Sequence, residues 1–270
     1  MKSGYAPVEN GELYYEVEGN GPAILLLHAG VADHTMWDPQ MADFSQAHTV
    51  VRYDLRDYGK SRTSDTSFSN GQDIRDVLRY LGIERATIVG NSRGGHIALD
   101  FTLAYPQMAA ALVWVNGGVG GMDFAASPEL DAWFEKMEAL YEAKDWEGLT
   151  DLEVQTWGDG INQPVGRAPE NVRRKLREMI LAGYMRVDGE ATPRALEPPA
   201  VGRLQEVQCP VLLVVGDLDT PGTLASADLL TERVPQAEKV VFHNVAHMAS
   251  MEQPKRFNSI VLDFLARHEL

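Results

Sequence analysis

Hydrophobic positions along the chain take two alternating forms. Short, largely apolar runs stand at 23–27, 49–53, 86–89, 110–115, 211–215 and 239–242. Runs this short, without polar alternation, predict strands covered on both faces, as in a parallel sheet packed between helices. Between them, apolar residues recur at helical spacing over 72–81, 94–105, 224–234 and 255–267. The alternation predicts an α/β fold: an open, mostly parallel sheet with helices on both faces. Ahead of the first run, Leu13, Tyr15 and Val17 alternate after an Asn10-Gly11 turn signal, which predicts a hairpin.

One interval breaks the rhythm. From Gly121 to about Glu206 no strand is predicted. Ser127 is placed to cap a helix with Pro128 at its first position. Leu130, Trp133, Phe134, Met137, Leu140 and Tyr141 then follow along one helical face. Val172, Leu176, Met179 and Ile180 form a second stripe, and Trp146, Leu149 and Trp157 a shorter one, while Pro193, Pro198 and Pro199 mark an extended return path. The expectation is a core of residues 1–120 and 207–270, with 121–206 inserted between two strands as a helical cap.

Composition narrows the class. The 270 residues carry 24 Lys+Arg against 39 Asp+Glu, a net charge of −15, with 44% hydrophobic residues. That balance is globular and not disordered. It lacks the clustered cations that nucleic acid or an anionic membrane surface requires, so neither is an expected partner. The single Cys209 excludes an intrachain disulfide framework. With no apolar leader at the start and no run of membrane-spanning length, the expected location is cytoplasmic.

The strongest local signal is the run from Ala86 to Gly95, ATIVGNSRGG, in which a predicted strand enters a G-x-S-x-G turn and then a helix. Such a turn lifts the Ser92 hydroxyl clear of the sheet and sets the Arg93 N–H at a helix start, facing an oxyanion. A serine needs a base held by an acid. Downstream, Gly216-Asp217-Leu218-Asp219 follows one strand and His247 lies in the loop after the last, giving the order Ser, Asp, His.

With those pieces in place the chain resembles the α/β-hydrolase superfamily over nearly its whole length. The matching segments are LLLHAG (25–30), YDLRDYGKS (53–61), GNSRGG (90–95), VGDLD (215–219) and HMASMEQP (247–254); the stretch from His34 to Gln40 is similar to small bacterial esterases and 3-oxoadipate enol-lactonases. The resemblance implies Ser92 as nucleophile, His247 as general base and an acid in GDLD. Asp219, deeper in its loop, is favoured over Asp217, which reads as a turn residue. It also implies that the insertion caps the site, and that no cofactor is needed. Two departures stand out. His28-Ala29 replaces the usual His-Gly, so the second oxyanion N–H is placed at Gly30, with Val31 as the fallback. Asp57 replaces a glycine in the segment from Asp54 to Ser61.

Other residues are weighed against plainer roles. His28 is assigned to shaping the oxyanion loop, His243 to packing at a strand end, and His96 to a partly buried structural place. No metal-ligand spacing is present. Arg173, Arg174, Lys175 and Arg177 read as a solvated face paired with Glu170 and Glu178. The Arg93 side chain has two readings, a substrate carboxylate or an acid beneath the cap, the second slightly favoured. Trp133, Phe134, Met137 and Trp157 are candidate substrate-binding residues. The function expected is hydrolysis of a small ester or lactone through an acyl-enzyme. The alternatives are carbon–carbon bond hydrolysis, perhydrolase or acyltransferase chemistry on the same residues, and a non-catalytic binder using the capped pocket.

Overall fold

The computed structural model describes the whole chain except residues 65, 125–127 and 187–190, with residue 129 described through its backbone. Among the described residues its main sheet has nine strands. Eight are β1 (Lys2–Val8), β2 (Gly11–Glu18), β3 (Ala23–Leu27), β4 (Thr49–Tyr53), β5 (Ala86–Asn91), β6 (Ala109–Val115), β7 (Val211–Gly216) and β8 (Ala237–Phe242). They lie in the order β1-β2-β4-β3-β5-β6-β7-β8, and the ninth, Arg62–Thr63, pairs with β2. β1 and β2 are antiparallel to their neighbours, while β4 through β8 run parallel. The predicted fold class is thus the observed one.

Strand pleating sends alternate residues to opposite faces, and each face is covered. Leu25, Leu27, Ile88, Leu112 and Leu213 enter one core with Ile74, Phe101 and Leu230. These last belong to α2 (Asn70–Tyr80), α3 (Arg93–Ala104) and α7 (Pro221–Arg233), where α4–α6 are the intervening helices given below. Ile24, Leu26, Val89, Val113 and Val214 enter the other with Phe44, Met251 and Phe257, from α1 (Asp38–Phe44), α8 (Ala249–Glu252) and α9 (Pro254–Arg267). Unbroken apolar strands are what two-sided burial demands.

The predicted hairpin is present, β1 pairing antiparallel with β2 across Glu9 and Asn10, but burial along β2 does not alternate. Leu13 is fully buried, but Tyr15 and Val17 on the same face are half-buried, and Tyr14 and Glu16 on the opposite face are buried. Glu16 is there because Arg52 Nη2 donates to it at 2.6 Å and Tyr14 Oη at 2.8 Å. Two-sided cover, not alternation, governs this strand.

Between β6 and β7 the chain forms α4 (Pro128–Glu142), α5 (Trp146–Glu153) and α6 (Glu170–Tyr184), with a π turn over Val154–Asp159. Pro128 opens α4; the capping role read for Ser127 lies outside the described residues. Val172, Leu176, Met179 and Ile180 are buried and join the core of α1 and α9. The return path does contain one short strand, Thr192–Pro193, paired with Ser67–Phe68. Ala200 and Leu204 then re-enter the core of α3 and α7. Among the described residues no helix is long and apolar enough to cross a membrane.

Parallel order places the loops after β3, β5, β7 and β8 at one edge of the sheet. That edge, at the strands' carboxyl ends, is where open α/β sheets build their sites.

Candidate active site

Ser92 stands between β5 and α3 with φ 57° and ψ −117°. A non-glycine residue is strained there, and such strain persists only where surrounding packing over-determines it. The packing is visible at Gly90, where a Cβ would come within 2.1 Å of the Gly94 carbonyl oxygen. Ser92 N–H donates to Val115 O at 2.9 Å, and His96 N–H closes the first helical turn on Ser92 O at 3.0 Å. As the first residue of α3, Arg93 presents a backbone N–H with no intrahelical acceptor.

His247 lies in the loop after β8 and Asp219 in the loop after β7. His247 Nδ1 is 2.7 Å from Asp219 Oδ2, with both side chains buried. The other Asp219 oxygen, Oδ1, accepts from Thr220 N–H at 2.6 Å. A carboxylate fixed on both oxygens makes Nδ1 the protonated ring nitrogen and leaves Nε2 as the acceptor. Asp217 stands apart. It accepts from Asn244 N–H at 2.7 Å and lies 2.9 Å from His243 Nδ1. Burial raises its carboxyl, but the His243 contact and two backbone N–H groups outweigh this and hold it below the usual range.

Ser92 and His247 share a cavity of about 370 Å³ whose wall includes Arg93, Phe134, Trp157 and Thr223. The Trp157 ring packs on His247 with centroids 4.8 Å apart. Phe134 reaches the same wall while remaining 39% exposed. Trp133 is not among the residues lining this cavity; it is half-buried, and its N–H donates to Thr156 Oγ1 at 2.7 Å. Met137 is half-buried on α4, outside the residues lining this cavity.

Gly30 and Val31 line a neighbouring cavity of about 580 Å³, together with Arg93, Tyr58 and Glu153. His28 shapes this loop from below. It is fully buried; its Nδ1 lies 2.7 Å from Ala29 O, and its Nε2 accepts from Leu55 N–H at 3.0 Å. Burial drives its pKa down, so the ring is held neutral with the proton on Nδ1.

Several residues differ from their reading in the sequence. His243 does not pack: its side chain is 81% exposed, held by Asp217. His96 is half-buried, as read, with Asp100 as a partner at 3.2 Å, but it also joins the Ser92 cavity. The basic run pairs with other elements and not with its own helix. Arg173 reaches the fully buried Asp159, and Arg177 reaches Glu147 and Asp151 on α5. Arg93 pairs with no acid among the described residues; Glu153 on the neighbouring cavity wall takes the Tyr184 hydroxyl at 2.8 Å.

Two residues that sequence reasoning passed over hold the site together. Asn116 Nδ2 donates to Ala246 O and His247 O, and its Oδ1 accepts from Gly216 N–H. Arg167 ties the segment after the π turn to the His247 loop through Glu252 Oε2 at 2.7 Å and Asn244 O at 2.7 Å. An Asn directly after a buried strand was the available signal for the first; long-range pairing gives none for the second.

Among the described residues, the carboxylate and imidazole atoms near enough to share an ion belong to Asp33, His34 and Asp54. They are already engaged. Asp54 Oδ1 accepts from His34 N–H and meets His34 Nδ1, Asp54 Oδ2 accepts from Lys60 N–H, and Asp33 Oδ1 accepts from Thr35. The cluster reads as a brace for the loop after β3.

Comparison with known proteins bears on the family and the fold. The alpha/beta hydrolase family model matches residues 24–260. A 2-hydroxy-6-oxononadienedioate/2-hydroxy-6-oxononatrienedioate hydrolase of Burkholderia vietnamiensis is 30% identical, over 96% of this chain and 94% of that protein. A 3-oxoadipate enol-lactonase of Acinetobacter baylyi is 25% identical, over 91% and 89%. Among solved structures, a carboxylesterase of Bacillus subtilis superposes with a TM-score of 0.79 at 24% identity, covering 98% of this chain and 91% of that one. The chain is a member of the alpha/beta hydrolase family.

Proposed function

We propose that the protein is a serine hydrolase that cleaves a small ester or lactone through an acyl-enzyme. The observation that carries this reading is the 2.7 Å contact of His247 Nδ1 with Asp219, in a loop that shares a cavity with the strained Ser92. Ser92 Oγ attacks the carbonyl carbon while His247 Nε2 takes its proton. Asp219 stabilises the imidazolium and keeps its tautomer. The N–H groups of Arg93 and Gly30 receive the developing oxyanion, each contributing about 3 kcal/mol by the measured effect of deleting such donors. His247 then protonates the leaving alcohol, and water repeats the sequence on the acyl-enzyme.

A second reading, carbon–carbon bond hydrolysis, is favoured by the Burkholderia vietnamiensis relative. Esters are preferred because residue 248, after the base, is a fully buried Met and not the Trp that the resemblance leads one to expect of carbon–carbon hydrolases.

The test combines fluorophosphonate labelling with turnover of short esters, lactones and a dienedioate. Labelling at Ser92, abolished in Ser92→Ala, with ester or lactone turnover is expected. Labelling with turnover of the dienedioate alone moves the assignment to the second reading. Neither labelling nor turnover makes the pocket a binding site.

A further inference from the structure

Three cavities meet at one side chain. Arg93 lines the cavity of Ser92 and His247, the cavity of Gly30, Val31 and Tyr58, and a third of about 620 Å³ with His96 and Asp100. Its guanidinium carbon is 5.8 Å from the Tyr58 ring centroid. Its Nε lies so near Gly30 that a Cβ there would approach to 2.9 Å. The side chain therefore runs from the serine turn across the loop after β3.

The other arginines on these walls have oxygen acceptors. Arg56 donates to Asp73, Arg186 to Gly59 O and Ser61 O, and Arg194 to Ser67 O and Gln72. Among the described residues Arg93 has none. The acids nearby are occupied: Glu153 by Tyr184, Asp57 by Thr63 and Ala191 N–H, Asp33 by Thr35, Asp100 by His96. Burial also pushes the Glu153 carboxyl up, toward the neutral form. In a chain of net charge −15, a guanidinium beside the nucleophile with no carboxylate partner is set to receive one from outside.

Position fixes which part of the substrate would carry it. His247 must face the leaving alcohol to protonate it. The cavity of Gly30 and Tyr58 includes Arg93 but neither Ser92 nor His247, and with Gly30 N–H as the second oxyanion donor of the reading above it lies on the oxyanion side. We propose that the Arg93 guanidinium anchors a carboxylate on the acyl part of the substrate, which makes the substrates half-esters of dicarboxylic acids or lactones bearing a free carboxylate. The proposal rests on the ester-hydrolase reading above.

The test compares monomethyl esters of succinic, glutaric, adipic and pimelic acids with their carbamoyl isosteres, in which a neutral amide replaces the carboxylate. Wild-type kcat/KM is expected to favour the anion by about tenfold or more at the best chain length, the scale of a charge-assisted pair. Arg93→Gln keeps the backbone N–H, and the ratio should fall to about one whatever its absolute rate; Arg93→Lys should retain part of the preference. Calorimetry on Ser92→Ala, with and without Arg93→Gln, reads the same preference as binding. A ratio near one at every length in wild type, or a preference that survives Arg93→Gln, overturns the anchor while ester turnover still stands. Turnover of neither series, with Ser92→Ala still binding the anion selectively, overturns the ester reading and keeps the anchor. Turnover of neither series with no binding preference overturns both.

Discussion

Asn116 Nδ2 donates to the backbone carbonyl of His247 at 2.8 Å, while Asn116 Oδ1 accepts from Gly216 N–H at 2.9 Å. One buried amide, at the end of β6, thereby fastens the loop of the base to the strand that delivers the acid. Asn116 adopts φ 46°, a left-handed conformation that asparagine tolerates better than most residues.

Asn116→Ala should therefore act on both stability and rate. Two carbonyls and one N–H lose a buried partner, at a cost of about 1–3 kcal/mol for a group left unsatisfied. The His247 ring keeps Asp219 but loses its fixed backbone, so kcat is expected to fall by more than KM rises. Melting temperature and steady-state kinetics on one ester check this. Unchanged kcat would mean that Asn91, whose Nδ2 reaches the same carbonyl at 3.3 Å, is sufficient alone.

The two carboxylates after β7 predict opposite results. Asp219→Asn preserves shape but favours the wrong imidazole tautomer, and an equivalent change in a serine protease lowers kcat by about 10⁴-fold. Asp217 holds an exposed His243 and one end of a turn. Asp217→Asn should leave kcat within a few-fold and lower the melting temperature slightly. An inactive Asp217→Asn beside an active Asp219→Asn would reverse the assignment of the acid.

The serine turn offers a stability test independent of activity. Ser92→Ala removes one hydroxyl but leaves a Cβ at φ 57°, so the strain of about 1–3 kcal/mol remains. Ser92→Gly relieves that strain at an entropic cost of about 0.5–1 kcal/mol. The glycine variant should melt at or above the alanine variant. A markedly lower melting temperature for Ser92→Gly would show that the conformation is not strained.

What could be read from the chain, and what could not, divides by range. The strand at 23–27 matches its apolar run residue for residue, because burial on both faces leaves no polar position to blur its ends; the strand at 49–53 keeps its predicted bounds although it carries Arg52, which is buried through its ion pair with Glu16. The serine turn was legible because glycine spacing encodes backbone geometry locally. By contrast, α1 is a single short amphipathic segment following a tight turn, too brief for periodicity to reveal. Arg173 looked solvated because its partner, Asp159, comes from another element and is itself fully buried. Asn116 and Arg167 reach the His247 loop across sequence separations of 77 to 131 residues, through contacts only the folded chain creates.

His28 gives the fold a dependence on acid. Burial lowers its pKa below the ordinary value of about 6.5, so the unfolded chain binds a proton that the folded one refuses. Its contribution is complete above pH of about 6.5 and is lost progressively as pH falls below that value. Protonating Nε2 would also end its acceptance of Leu55 N–H. The slope of melting temperature against pH between about 6.5 and 5 should be shallower in His28→Asn than in wild type. Equal slopes would show that His28 carries none of this dependence.

The last expectation concerns the link between the π-turn segment and the base. Arg167 Nη1 lies 2.7 Å from Glu252 Oε2, with side-chain exposures of 9% and 3%, and Glu252 Oε1 accepts from Ala246 N–H, next to His247. Burial pushes the Glu252 carboxyl up, and Arg167 opposes that. Arg167→Met removes the opposing charge and leaves a buried carboxylate, which typically destabilises by about 3–5 kcal/mol unless the group takes a proton. With its folded pKa raised above the unfolded value, Glu252 then contributes most at low pH, and that contribution is lost as pH rises. Arg167→Met should therefore lose more stability at about pH 8 than at about pH 5. Glu252→Gln added to Arg167→Met removes the charge while keeping an acceptor for Ala246 N–H, so the double variant should recover stability at the higher pH. Denaturant titration of the four proteins in the cycle at both values measures this. If the single and double variants lose equal stability at both pH values, Arg167 contributes through packing and its carbonyl contacts, not through the ion pair.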